Sequence, residues 1–183
     1  MYKDIGFAKL DTERLCRRGY PEAVFCECKT TDELIKIFQA LKDSGQNILG
    51  TRASKEQYEA LKKEFRGIEY NDKARTLTLI ENPVKKTGEV AICTGGTGDI
   101  PVAEEAAVSA EFYGSNVKRY YDVGIAGIHR LLDNIEDIKK ANVIIAVAGM
   151  EGALGGVITG MVDVPVIAVP TSVGYGTSLN GVS

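Results

Sequence analysis

The run Cys93-Thr94-Gly95-Gly96-Thr97-Gly98-Asp99-Ile100-Pro101-Val102-Ala103-Glu104-Glu105-Ala106-Ala107 decides how the second half of this chain folds. Before it, Glu89-Val90-Ala91-Ile92-Cys93 reads as a short buried strand. The strand empties into three glycines and two threonines, then Asp99. Pro101 suits the first turn of a helix, where its missing N–H costs nothing. The Ala- and Glu-rich run that follows is strongly helical, with Glu104 and Glu105 in first turns that the helix dipole favours for acids. Strand, glycine-rich turn and helix N-terminus gather unpaired N–H groups at one spot, a seat for phosphate or carboxylate. The pattern is neither a P-loop nor Gly-x-Gly-x-x-Gly. On its own the loop is either a ligand seat or an ordinary strand-to-helix turn.

C-terminal to this run, strand and helix patterns alternate. The sequence predicts a helix over 101–113, a strand over 117–123, a helix over 128–140, a strand over 142–148, a helix over 152–162 and a strand over 165–169. Such alternation predicts a parallel sheet covered on both faces, with ligands at the carboxyl ends of its strands. Those ends are Gly95–Asp99, Gly124–Arg130, Gly149–Gly152 and Pro170–Gly176, each rich in glycine or polar side chains.

Several side chains there can carry chemistry. His129, the single histidine, precedes Arg130 at a strand end, and it is either structural or catalytic. Asp99 is a helix cap, a partner for a ribose hydroxyl, or a base. Glu151 enters a helix straight after a buried strand; partial burial would raise its pKa and suit it as a base toward water, and the alternative is a carboxylate that favours the helix dipole. Asp122 closes its strand beside the same crevice, and Tyr175, between two glycines, can stack on an aromatic ring. Cys93 reads as packing rather than as a nucleophile.

N-terminal to the opening run, Glu81-Asn82-Pro83-Val84-Lys85-Lys86-Thr87-Gly88 has linker composition, and a domain boundary is expected there, with domains at 1–83 and 84–183. The first domain reads as a small α/β unit. Pro21–Cys26 looks like a strand, Thr30 and Glu33 form a capping box before Leu34, Ile37, Phe38 and Leu41 at helical spacing, and Asn47–Gly50 is a short strand. Ser54 and Gln57 form a second capping box, and Arg75–Ile80 alternates like a strand, giving βαβαβ over about 21–80. Arg14, Arg17 and Arg18 are a solvated helix face or a phosphate contact.

The 183 residues, 44% hydrophobic, suffice for one large domain or two small ones. Net charge −3 and a pI near 5.3 leave no basic footprint for nucleic acid. The longest apolar run, Val143 to Gly149, is strand-sized, so no membrane segment is expected. A start at Met1-Tyr2-Lys3-Asp4 without a signal-peptide pattern makes a cytoplasmic protein the expectation. Cys16, Cys26, Cys28 and Cys93 include no Cys-x-x-Cys, which with one histidine argues against zinc and for four reduced thiols.

Gly98-Asp99-Ile100-Pro101-Val102-Ala103-Glu104-Glu105-Ala106-Ala107, Gly127-Ile128-His129-Arg130 and Ala148-Gly149-Met150-Glu151-Gly152 resemble the motifs of PurE-type mutases, as does Val164-Pro165-Val166-Ile167-Ala168-Val169-Pro170. The chain resembles the LarB family more closely, in Tyr121-Asp122-Val123-Gly124-Ile125-Ala126-Gly127-Ile128-His129-Arg130-Leu131-Leu132, in Gly149-Met150-Glu151-Gly152-Ala153-Leu154 and in Val169-Pro170-Thr171-Ser172-Val173-Gly174-Tyr175-Gly176. Arg17, Gly19-Tyr20-Pro21-Glu22 and Thr51-Arg52-Ala53-Ser54 are similar to that family's first domain. The resemblance implies a PurE-like, flavodoxin-like three-layer parallel sheet after a small α/β domain. It also implies carboxylation of nicotinic acid adenine dinucleotide with CO₂ or bicarbonate and release of AMP. The product would be pyridinium-3,5-biscarboxylic acid mononucleotide, on the way to the nickel-pincer nucleotide cofactor.

By the same resemblance, Glu151, Asp99 and His129 are the catalytic candidates. Gly95, Gly96, Thr97, Gly98, Asp122, Arg130, Gly149, Met150, Gly152, Thr171, Ser172 and Tyr175 are the substrate-binding ones. Mg²⁺ is admitted, no tightly bound organic cofactor is expected, and a homo-oligomer, up to an octamer, is. The family's nucleophile is a cysteine in an Asn-Ser-Cys motif downstream of the Gly-Tyr-Gly loop. None of the four cysteines matches it, so the chain is expected to continue past Ser183. A PurE-type carboxylase or mutase of purine biosynthesis is the second reading, and a nucleotide-binding regulatory module without catalysis the third.

Overall fold

In the computed structural model, residues 2–172 are described below. The chain divides into two compact units, Met1–Val84 and Lys85–Ser183.

The first unit opens with a two-stranded antiparallel ribbon, β1 (Lys3–Asp4) and β2 (Lys9–Leu10), followed by a short helix α1 (Arg14–Arg18). Its main sheet contains β3 (Ala23–Phe25), β4 (Ile48–Thr51), β5 (Glu69–Asn71) and β6 (Thr76–Leu79) in the order β3-β4-β6-β5. Only β3 and β4 run parallel; β6 is antiparallel to β4 and to β5. The short strands β1, β2 and β5 have no expectation behind them in the sequence: two or three residues outside any longer apolar run carry no period-2 signal.

Two helices, α2 (Thr31–Asp43) and α3 (Lys55–Glu64), start at the two capping boxes. The Glu33 N–H donates to Thr30 Oγ1 at 3.3 Å and the Thr30 N–H to Glu33 Oε2 at 2.8 Å. Ser54 and Gln57 do the same at 3.2 and 2.9 Å. Each cap satisfies two otherwise orphaned donors. Leu34, Ile37, Phe38 and Leu41 then fall on one face and bury against Ile48, Leu77 and Leu79.

The second unit is a flavodoxin-like α/β domain. Four parallel strands, β7 (Glu89–Thr94), β8 (Asn116–Tyr120), β9 (Val143–Ala148) and β10 (Val166–Pro170), lie in the order β10-β9-β7-β8. Helix α4 (Ile100–Phe112) covers one face: Ala103 and Ala107 pack on Val90, Ile92 and Val147. On the other face α5 (Ile128–Leu132), α6 (Ile135–Ile138) and α7 (Ala153–Thr159) bring Leu131, Ile138, Leu154 and Ile158 against Ala91, Cys93, Ile144 and Ala146. Gly155 lets α7 approach closely, because a Cβ there would lie 2.9 Å from that of Ala168. Arg119 on the edge strand ties β8 to α4, donating to Glu104 at 3.1 Å and to Glu111 at 2.7 Å.

In the second unit three elements differ from the sequence reading, the first being α7, which ends at Thr159 rather than residue 162. Strand β8 stops at Tyr120 rather than residue 123, because Asp122 adopts φ +57° and turns the chain out of the ladder. The helix expected over 128–140 breaks into α5 and α6 at Asp133 and Asn134. The Asn134 side chain donates to the Arg130 carbonyl at 2.8 Å, competing with the backbone for an acceptor that helix continuation would use. Among the described residues, no helix is long and apolar enough to cross a membrane.

Candidate functional site

The order β8-β7-β9-β10 reverses direction between β7 and β9, and a crevice of this kind of sheet opens at the carboxyl ends of the strands where that happens. Here it encloses about 260 Å³. Gly95, Gly96, Gly98 and Asp99 form one wall; Gly124, Ile125, Ala126 and Arg130 a second; and Ala148–Glu151, with Ala153 and Leu154, a third.

The first wall leaves β7 as a continuation of the ladder, the Gly95 N–H donating to the Val147 carbonyl at 2.9 Å. It then tightens into one turn of 3₁₀-helix over Thr97–Asp99. Asp99 is buried, 4% exposed, and stands at the N-cap position of α4 without a side-chain cap hydrogen bond. One carboxylate oxygen accepts the Gly96 N–H at 2.9 Å, and the other accepts the Thr171 hydroxyl at 2.6 Å. Of the alternatives open for Asp99, a side-chain cap on α4 is not the one formed: its oxygens bind the turn before it and the strand end beside it. The first turn of α4 is left without a side-chain cap.

The second wall is held by Thr94, which is fully buried. Its hydroxyl oxygen accepts the Asp122 N–H at 2.9 Å, and its carbonyl accepts the Val123 N–H at 3.0 Å. These bonds turn the chain through Asp122 and bring Gly124 against Gly95. The Asp122 carboxylate then pairs with the Arg130 guanidinium, which lines the crevice.

The third wall follows β9 through Met150 (φ +56°) and Gly152 (φ +67°) into α7. Its Glu151 is exposed, not partly buried, so the burial that would suit it as a tuned base is absent in this chain by itself. Glu151 and Ala148 also border an adjoining recess of about 250 Å³, lined further by Ala146, Gly152 and Ala168.

The structure thus brings together Gly95, Gly96, Gly98, Asp99, Arg130, Gly149, Met150 and Glu151, with Gly152 in the adjoining recess and Asp122 behind Arg130. Thr97 is exposed in the 3₁₀ turn, and His129 is exposed on α5; neither lines the crevice. Thr171 is buried behind Asp99, and Ser172 after it is exposed, both off the lining. Tyr175 lies outside the described residues. Gly124, Ile125 and Ala126 fall within the strand end Gly124–Arg130 that the sequence marks for ligand, though none of the three is singled out there. Sequence reasoning missed Thr94 as the support of that wall and Ala148, Ala153 and Leu154 as liners; these are marked only by where the sheet puts them.

All four cysteines are free. Cys93 sits at the end of β7 on the α5–α7 face, and burial pushes its thiol up to about 12. That leaves negligible thiolate at neutral pH, so Cys93 is packing. Burial does the same to Cys26, whose thiol also rises to about 12. Among the described residues no group of three or more His, Cys, Asp and Glu side chains could hold a metal ion.

Residues 2–82 match the family model for the LarB/PurE-like N-terminal domain, and residues 89–183 match the model for AIR carboxylase. An uncharacterized protein of Methanocaldococcus jannaschii is 46% identical over 93% of this chain and 70% of its own length. The N5-carboxyaminoimidazole ribonucleotide mutase of the same organism is 34% identical over 84 residues, 44% of this chain and 51% of the mutase. A flavodoxin-like sheet with its crevice at the switch point, matched to AIR carboxylase, defines a protein of the carboxylase type. With its N-terminal domain, the chain belongs to the LarB family.

Proposed function

We propose that this protein converts nicotinic acid adenine dinucleotide and CO₂ or bicarbonate into pyridinium-3,5-biscarboxylic acid mononucleotide and AMP. The product feeds assembly of the nickel-pincer nucleotide cofactor. The observation that carries the reading is a crevice with one lining cation among the described residues, Arg130, facing a glycine-rich turn, in a chain that also bears the LarB-type first domain. At about 260 Å³ the crevice is at the small end of ligand pockets, which suits one nucleotide half of the substrate rather than both.

In this reading the Gly95–Gly98 turn and Arg130 take the phosphate of the nicotinate half. Arg130 exchanges its pairing with Asp122 for the more highly charged phosphate oxygens. The apolar wall of Ile125, Ala126 and Leu154 packs the ring. Glu151, exposed at the rim, handles the water that splits the phosphoanhydride. Carboxylation calls for a thiolate that adds to the electron-poor ring and leaves an enamine able to attack CO₂; loss of the ring proton at the carboxylated carbon to a base then expels the thiolate and restores the aromatic ring. Buried Cys93 and Cys26 do not supply it, and the resemblance assigns it to the downstream Asn-Ser-Cys motif. Mg²⁺ accompanies the substrate phosphates. The working form is a homo-oligomer, an octamer in this reading, and exposed Ile125, Ile128 and Leu132 beside the crevice support a subunit contact there.

The full reading frame, incubated with nicotinic acid adenine dinucleotide, bicarbonate and Mg²⁺, is expected to release AMP together with a dicarboxylated mononucleotide detectable by mass. No AMP release would sink the assignment. The 34% identity to a mutase keeps a PurE-type reaction as the second reading. Turnover of an aminoimidazole ribonucleotide without turnover of the dinucleotide would establish it instead.

A further inference from the structure

The hydroxyl of Thr171 points to a role that contact with substrate would not give it. Thr171 directly follows β10 and is 4% exposed. Its N–H donates to the Ala148 carbonyl at 3.0 Å, one residue beyond the Pro170–Ala148 register, so the sheet fixes its backbone. Its hydroxyl donates to the buried Asp99 at 2.6 Å, across 72 residues of sequence. Asp99 in turn holds the Gly96 N–H at 2.9 Å. One unbroken chain of hydrogen bonds therefore runs from the end of β9, through the end of β10, to the turn that follows β7.

From this we infer that Thr171 is a positioning residue: it orients Asp99, and through Asp99 it holds the Gly95–Gly98 turn in the form that receives the ligand. The physical reason is that a glycine-rich turn has many accessible conformations and little side-chain packing to choose among them. A buried carboxylate with both oxygens engaged selects one conformation, provided that the carboxylate is itself held. Its backbone, at the start of α4, allows the side chain other rotamers, including the cap position it does not take. The Thr171 hydroxyl, presented by the rigid sheet, excludes them. The inference rests on the ligand reading above only for its consequence, not for its geometry.

The test compares the full chain with Thr171→Val, which keeps the shape and loses the hydroxyl, and Thr171→Ser, which keeps the hydroxyl. Amide hydrogen exchange of the segment 94–100 is the first readout and needs no ligand. Loss of a hydrogen bond to a charged acceptor is expected to speed exchange there by about tenfold or more in the valine variant. The serine variant restores protection. The second readout is turnover of nicotinic acid adenine dinucleotide: the valine variant raises KM by a similar factor with a smaller loss in kcat, and serine restores it. Unchanged exchange in Thr171→Val, or a serine variant that behaves like valine, would overturn the inference. The exchange difference with no turnover by any form supports the link and counts against the substrate assignment alone.

Discussion

Gly124 lies directly on the carbonyl of Gly95: a Cβ built on Gly124 would sit 2.2 Å from that oxygen, and Cβ atoms do not come so close to backbone. Two walls of the crevice are therefore in contact through glycine. Gly124→Ala is expected to force the turns apart, costing about 1–3 kcal/mol of stability by overpacking and widening the crevice. Thermal denaturation and calorimetric titration with the dinucleotide check both; an alanine variant that melts and binds as the parent does would show the contact to be soft.

Asp122 occupies the left-handed region with its carboxylate on Arg130. Asn tolerates that conformation and β-branched residues do not. Asp122→Asn should therefore melt within about 0.5 kcal/mol of the parent, since the ion pair is half exposed, and Asp122→Val should lose about 1–3 kcal/mol through backbone strain. Equal losses would locate the cost in the ion pair rather than the turn.

Arg130→Gln addresses the same pair from the ligand's side. Removing the lining cation should weaken binding of the phosphate-bearing ligand by about tenfold or more. It should also flatten the salt dependence of binding. Binding that stays salt-dependent and tight would place the phosphate elsewhere.

On the face of the sheet covered by α5, α6 and α7, Asp137 accepts the Tyr120 hydroxyl and the ammonium groups of Lys118 and Lys140, both at 3.2 Å. These partners, the tyrosine first, hold its carboxyl down to about 2, below the ordinary carboxylate value. A lowered folded pKa contributes stability that is fully present above the unfolded value, near 4. That contribution is lost as pH falls toward 2. The melting temperature should accordingly fall over this range in the parent, and by less in Asp137→Asn. Identical acid limbs would remove Asp137 from the account.

Thiol chemistry separates packing cysteines from accessible ones. With Cys93 fully buried and its thiol raised, iodoacetamide at pH 8 should label exposed Cys16 and Cys28 in the native protein and spare Cys93. Cys93→Ala should retain turnover by the full chain. Rapid native labelling of Cys93, or loss of turnover in a folded Cys93→Ala, would reopen it as the nucleophile.

Local chemistry by itself determined much of this protein. Thr30 with Glu33 and Ser54 with Gln57 start their helices by bonds made within four residues, so the sequence shows them in full. The alternation from Glu89 to Pro170 likewise makes a parallel α/β sheet legible, because each strand is a short apolar run with its own turn. The break at Asp133–Asn134 and the exit at Asp122 were less legible, since a single side chain's choice of acceptor overrides a periodic pattern. What only the tertiary structure decided is which strand ends meet. Strand order sets β9 beside β7 and β10 beside β9, and that adjacency puts Thr171 on Asp99, Gly124 on Gly95 and Ala148 in the crevice wall. It also leaves His129 exposed, off the crevice lining, and buries Cys93. Contacts across 29 to 72 residues depend on the packing of a whole sheet, and no window of sequence contains the partners that make them.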